Sequence, residues 1–110
     1  MSESSSEEVW TLGAWRAKAG QEEAFKAEWI NFAGWSCKNQ PGAKDAYLLQ
    51  DPANPQVFFS FGPWQTADAV SEWRQTPEFG AFFAKARALC DDIQPNTLRL
   101  VTHITGRAGS

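Results

Sequence analysis

Apolar residues recur along the chain in two rhythms. In Val9-Trp10-Thr11-Leu12-Gly13-Ala14-Trp15-Arg16 the rhythm is two, with Trp10 and Leu12 on one side and Val9, Thr11 and Trp15 on the other. That predicts a strand with both faces at least partly covered. Gly13 in its middle marks a bulge or a close approach by another group, a ligand included. After the turn Lys18-Ala19-Gly20 the period becomes 3.6. Phe25, Trp29, Phe32, Ala33 and Ser36 then form the inward stripe of a helix from Gln21 to about Lys38, with Glu22 and Glu23 at the positive end of its dipole. Ile30 and Trp35 fall off the stripe, towards a partner subunit or a pocket rim, and Asn39-Gln40-Pro41-Gly42 stops the helix.

Residues 46–50 read as a second strand, joined through Asp51-Pro52-Ala53-Asn54-Pro55 to an aromatic third strand as an antiparallel hairpin. The aromatic run breaks at Gly62-Pro63 and restarts as a helix at Thr66, a good N-cap, with Asp68 in the first turn and Val70 and Trp73 one turn apart. Trp64 stands where the chain leaves the sheet for the helical layer. That is a common place for a small-molecule pocket, and equally for a residue that closes the core. Thr76-Pro77 starts another helix, whose buried stripe is Phe79, Phe82, Phe83, Ala86, Leu89 and Cys90. Pro95-Asn96 ends the loop after it, and residues 98–105 read as the last strand.

Residues 1–8, Ser and Glu with one Met, predict a disordered tail, and residues 106–110 a frayed one, leaving a single domain at 9–105. Strand, helix, strand, strand, two-part helix, strand is the order of the ferredoxin-like α+β sandwich: βαββαβ, a four-stranded antiparallel sheet with helices on one face. Apolar residues of both parities on the strands predict a second copy against the other face. The expected assembly is a homodimer whose sheets pack face to face into an α+β barrel.

Composition narrows the chemistry. A net charge of −3 leaves no basic face for phosphates, so no nucleic-acid partner is expected. Neither a secretory leader nor an apolar run of the ~20 residues that cross a bilayer is legible, which points to the cytoplasm and no membrane partner. Cys37 and Cys90 fall in predicted helices with no second ligand type nearby, and read as small reduced hydrophobes. With His103 the only histidine, no His/Cys metal site is expected within one subunit. His103 is also the one side chain with an ordinary pKa near neutrality, hence the candidate general base, or else a strand histidine paired to a neighbour or exposed at the sheet edge. Six Trp and eight Phe in 110 residues exceed what a small core needs, so some are expected to line a cavity or an interface.

Several segments resemble the antibiotic biosynthesis monooxygenase (ABM) domain of the dimeric α+β barrel superfamily. Lys18-Ala19-Gly20-Gln21-Glu22-Glu23-Ala24-Phe25 resembles the start of its first helix, Pro41-Gly42 its break before the second strand, and Leu48-Leu49-Gln50-Asp51 that strand. Trp64-Gln65-Thr66-Ala67-Asp68-Ala69 and Thr76-Pro77-Glu78-Phe79 resemble its third-strand exit and last-helix start. The resemblance covers about residues 9–104 and implies an enzyme that oxidises polycyclic phenols with O₂ and no cofactor, or a haem-degrading relative.

By position it implies a substrate pocket at Trp64, Ser60, Trp73 and Phe83, with Gly13 on the first strand. Ser60 stands where the polyketide-oxidising members carry Asn, Val70 where they carry Tyr, and about Phe83 where they carry Arg. In the pattern of the haem-degrading members Trp73 matches, while Gly13 and Phe83 replace the Asn and the axial His, so haem is not expected and the cofactor expectation is none. Two functions follow: a cofactor-independent monooxygenase of an aromatic or quinone-like small molecule, or a non-catalytic dimeric barrel that binds a hydrophobic ligand or has a stress-related accessory role.

Overall fold

Strand β1 (Val9–Ala17) is the axis of the sheet in the computed structural model, which describes residues 8–107. It is followed by α1 (Glu22–Asn39), β2 (Tyr47–Gln50), β3 (Val57–Trp64), α2 (Ala67–Arg74), α3 (Pro77–Leu89) and β4 (Cys90–Arg99). The sheet order is β2-β3-β1-β4 with every pair antiparallel, the ferredoxin-like α+β arrangement. The tail expected at 1–8 lies outside the described residues except for Glu8, and of the tail expected at 106–110 only 106–107 are described.

Cross-strand partners share a face of the sheet, so the registers sort the side chains. Val9, Gly13, Trp15 and Ala17 of β1 lie with Phe58, Ser60, Gly62 and Trp64 of β3 on the helix side, and all but the half-buried Ser60 are buried. Trp15, Ala17, Phe25, Phe58, Phe82, Ala86 and Cys90 form the main core, with Trp29, Phe32 and Phe83 packed against it. Phe25 and Phe58 have no exposed surface and their rings meet at 5.0 Å. Each such burial stabilises by about 1.5–3 kcal/mol. A second cluster of Val9, Trp64 and Val70 closes the far end of the layer.

Both predicted caps are present. Thr66 Oγ1 accepts from the N–H of Ala69, and Thr76 Oγ1 from the N–H of Phe79, each at 3.1 Å, and Pro77 opens α3. Gly20 and Gly42, in the turns on either side of α1, have positive φ of 88° and 86°.

Two expectations are corrected. The third strand does not break at Gly62-Pro63 but runs on to Trp64. Gln65 donates its N–H to Gly42 O, so by alternation the missing N–H of Pro63 faces the same side, beyond the start of β2, where no ladder bond is lost. Gly62 is required there because a Cβ would collide with the carbonyl oxygen of Asp45.

The last strand is Cys90–Arg99, not 98–105, and it follows α3 without a loop; Cys90 opens it and is not helical. Leu100 donates its N–H to Glu8 O, so even-numbered residues of this strand bond to β1 and Pro95 turns its nitrogen to the free edge. Asp91, Asp92, Gln94 and Asn96 give an edge strand the composition of a loop. Residues 101–107 are exposed and carry no regular structure.

Candidate functional site

The helix side of β1 and β3 and the inner stripes of α1, α2 and α3 enclose a cavity of about 80 Å³. Gly13, Trp15 and Ser60 form its sheet wall, while Phe32, Ser36, Trp73, Phe79 and Phe83 come from the helices. Trp73 is the hub of the helical wall: its ring lies 4.7 Å from Trp64, 4.8 Å from Phe79 and 5.6 Å from Phe32. Trp64 itself is 5% exposed and belongs to the core cluster as well as to the lining, so it closes the core and walls the cavity at once.

Two hydrogen bonds hold the serines of this largely aromatic chamber, whose lining also includes Thr11 and Asn96. Trp15 Nε1 donates to Ser60 Oγ at 2.9 Å, and Trp73 Nε1 donates to Ser36 Oγ at 2.8 Å. Gly13 makes the first of these possible, since a Cβ there would lie 2.8 Å from Trp15 Nε1 and 2.9 Å from Ser60 Oγ.

The titratable side chains of the lining are Cys37, Lys44, Asp45 and Arg74, and all four residues are exposed, which puts them at the rim. Cys37 donates its S–H to Lys44 O at 3.1 Å, and its pKa is raised by partial burial and then by the charge of Asp45. Lys44 pairs with Glu8 at 3.5 Å, and Asp45 accepts from the Tyr47 hydroxyl at 3.4 Å. Burial of the Arg74 guanidinium lowers its pKa. Among the described residues no group of three or more His, Cys, Asp or Glu is placed to hold a metal, and no helix is long and apolar enough to cross a membrane.

The profile of the antibiotic biosynthesis monooxygenases matches residues 9–85, which takes in the sheet wall, α1, α2, most of α3 and the rim. The chain belongs to the antibiotic biosynthesis monooxygenase family. No curated protein matches it. Among solved structures it is similar to SnoaB, a cofactor-independent oxygenase from Streptomyces nogalater, at a TM-score of 0.83 and 18% identity over 91% of this chain and 99% of that one. PA3566 from Pseudomonas aeruginosa gives 0.76 at 20% identity over 89% and 98%, and SO0527 from Shewanella oneidensis 0.77 at 14% over 86% and 92%. At these identities the likeness shows a shared fold.

Within this ABM domain, five of the six residues singled out from the sequence line one cavity: Gly13, Ser60, Trp64, Trp73 and Phe83. The sixth, His103, lies beyond β4 in the exposed segment 101–107 and outside the lining. Its expected strand is absent because β4 begins eight residues earlier than the apolar pattern suggested. Trp15 and Ser36 were not singled out for the site. The signal for Ser36 was a hydroxyl on an otherwise apolar stripe, and for Trp15 a large ring two residues from a strand glycine.

Proposed function

We propose that this ABM-domain protein is a cofactor-independent monooxygenase of an aromatic or quinone-like small molecule. The observation that carries this reading is the aromatic cavity between sheet and helices, with its charged groups confined to the rim. In such a reaction a phenolic substrate loses a proton and its electron-rich anion adds O₂ at a ring carbon. The hydroperoxide then loses water, so that one oxygen stays as a carbonyl and the other leaves as H₂O. Substrate plus O₂ becomes quinone plus water, with no further reductant. The protein contributes a dry, shaped wall that positions the ring and keeps water from the intermediate. Asp45, the carboxylate of the lining, is the proton acceptor in this scheme.

The working unit is a homodimer packed through the open sheet face. Trp10, Leu12, Phe59, Phe61, Tyr47, Leu49 and Leu98 share that face by register, and four of them, Tyr47, Leu49, Phe59 and Leu98, are 43–54% exposed. Trp10 Nε1 is buried there with no hydrogen-bond partner among the described residues, a cost that an acceptor from a second copy would remove. Two unjoined cysteines suit a cytoplasmic site of action.

O₂ uptake with a panel of hydroquinones and anthrones tests the chemistry. The unaltered protein is expected to consume O₂, Trp64→Ala and Asp45→Asn to lose at least about tenfold, and His103→Gln to keep full turnover. Inertness across the panel sinks the oxidation. It would leave the second reading, a dimeric barrel that binds a hydrophobic ligand without turnover, which the aromatic lining, able to hold a ring without any proton acceptor, favours.

A further inference from the structure

The two cavity serines repeat one arrangement on opposite walls. Ser60 on β3 accepts the indole N–H of Trp15, and Ser36 on α1 accepts that of Trp73. A serine hydroxyl has one proton to donate and two acceptor positions, and the indole takes one of the acceptor positions. Among the described residues neither Ser36 nor Ser60 donates its own O–H to a protein acceptor. For Ser36 this is unusual, because a serine inside a helix ordinarily donates back to the carbonyl four residues earlier. Indole donation polarises each hydroxyl and strengthens the bond it can give in turn, while fixing where the oxygen sits. What remains is a largely aromatic chamber in which these two serines are fixed donors that lack acceptors, with Thr11 and Asn96 elsewhere in the lining.

We propose that the cavity takes a single-ring aromatic ligand with oxygen acceptors at opposite ends of the ring, held between the hydroxyls of Ser36 and Ser60. This rests on the cavity being the ligand site, and it names the substrate class and a residue pair for that site. Size sets the ring count. A water needs about 10–15 Å³ of such space, so a cavity of about 80 Å³ has room for roughly five to eight water-sized groups. That space suits one substituted ring. Phe32 stacks on Trp73, 20° apart, and Phe79 on Phe83, 16° apart, so the helical wall against which a planar guest would pack is a set of mutually supported rings. A hydroquinone, the corresponding quinone and a hydroxyaryl ketone share the required chemistry.

The test uses 4-hydroxyacetophenone, which has two oxygens and is not oxidised in the assay, against acetophenone, which has one. Binding to the unaltered protein is followed through the indole N–H signals of its six tryptophans by ¹H–¹⁵N NMR. The two-oxygen ketone is expected to bind about fivefold tighter or more and to move the Trp15 and Trp73 signals together. Ser36→Ala and Ser60→Ala are each expected to weaken it by about 3–10-fold and to bring it down to the acetophenone level. Equal binding of the two ketones overturns the proposal, as does no binding of either, or tighter binding by a three-ring ketone. Should Ser36→Ala fail to fold, the ketone pair on the unaltered protein still decides. Tight, serine-dependent binding in a protein inert to O₂ removes the monooxygenase reading alone, whereas turnover that survives both serine variants removes this one.

Discussion

Gly13 and Ser60 face each other across the β1–β3 ladder, and the space a side chain on Gly13 would need is filled by the hydrogen bond from Trp15 to Ser60. Gly13→Ala must push an indole or a hydroxyl aside within a packed layer. It is expected to destabilise by about 1–3 kcal/mol, read by urea unfolding, and to weaken ligand binding with it. A variant as stable as the parent would show that the wall yields freely.

Phe25 is fully buried against Trp15 and Phe58, whereas Ile30, five residues on, is 61% exposed. Phe25→Ala is expected to cost about 3–5 kcal/mol. Ile30→Ala should stay within about 0.5 kcal/mol. Similar losses from the two would mean that α1 is rotated from the orientation described.

The rhythm of apolar residues made this helix legible because α1 has one face in the core and the other in water. β1 was legible from apolar residues at a period of two on both faces, and the β2–β3 hairpin from two apolar runs joined by turn residues. The apolar pattern failed at β4, which has a free edge, one open face and a proline whose lost N–H points outward, so the marks of a strand are few. Trp64 could be placed near a cavity because it stands where the chain leaves the sheet, and Trp73 and Phe83 only through the family resemblance. The Trp15–Ser60 and Trp73–Ser36 pairs could not, because each joins residues 45 or 37 positions apart and only the packed layer brings them together.

Cys90 is buried, and burial with the neighbouring charge of Asp91 pushes its thiol up to about 11. The folded pKa lies above the ordinary 9.0, so folding favours the neutral thiol; its contribution is complete below about pH 9 and lost as pH rises towards 11. Unfolding measured from pH 8 to 11 should show a steeper loss of stability in the parent than in Cys90→Ala. With a thiol reagent at pH 8, Cys37 should label first and Cys90 only on unfolding. Equal labelling rates in the native protein would contradict the burial.

Phe59 and Leu49 are cross-strand partners on the open sheet face. Light scattering at micromolar concentration is expected to give twice the chain mass for the parent and the single-chain mass for Phe59→Glu, because a carboxylate there would be desolvated without a partner. A monomeric parent would refute the dimer.

Pro95 also governs how this sheet ends. A sheet grows sideways only when the arriving chain finds a full row of donors and acceptors, and the outer rim of β4 lacks a donor at its midpoint and carries negative charge near its start, at Asp91. A neighbour cannot extend the ladder there into a ribbon. One proline that disguises the strand in the sequence thereby also guards this edge against a neighbour adding to the ladder, and the opposite edge is only the four-residue β2.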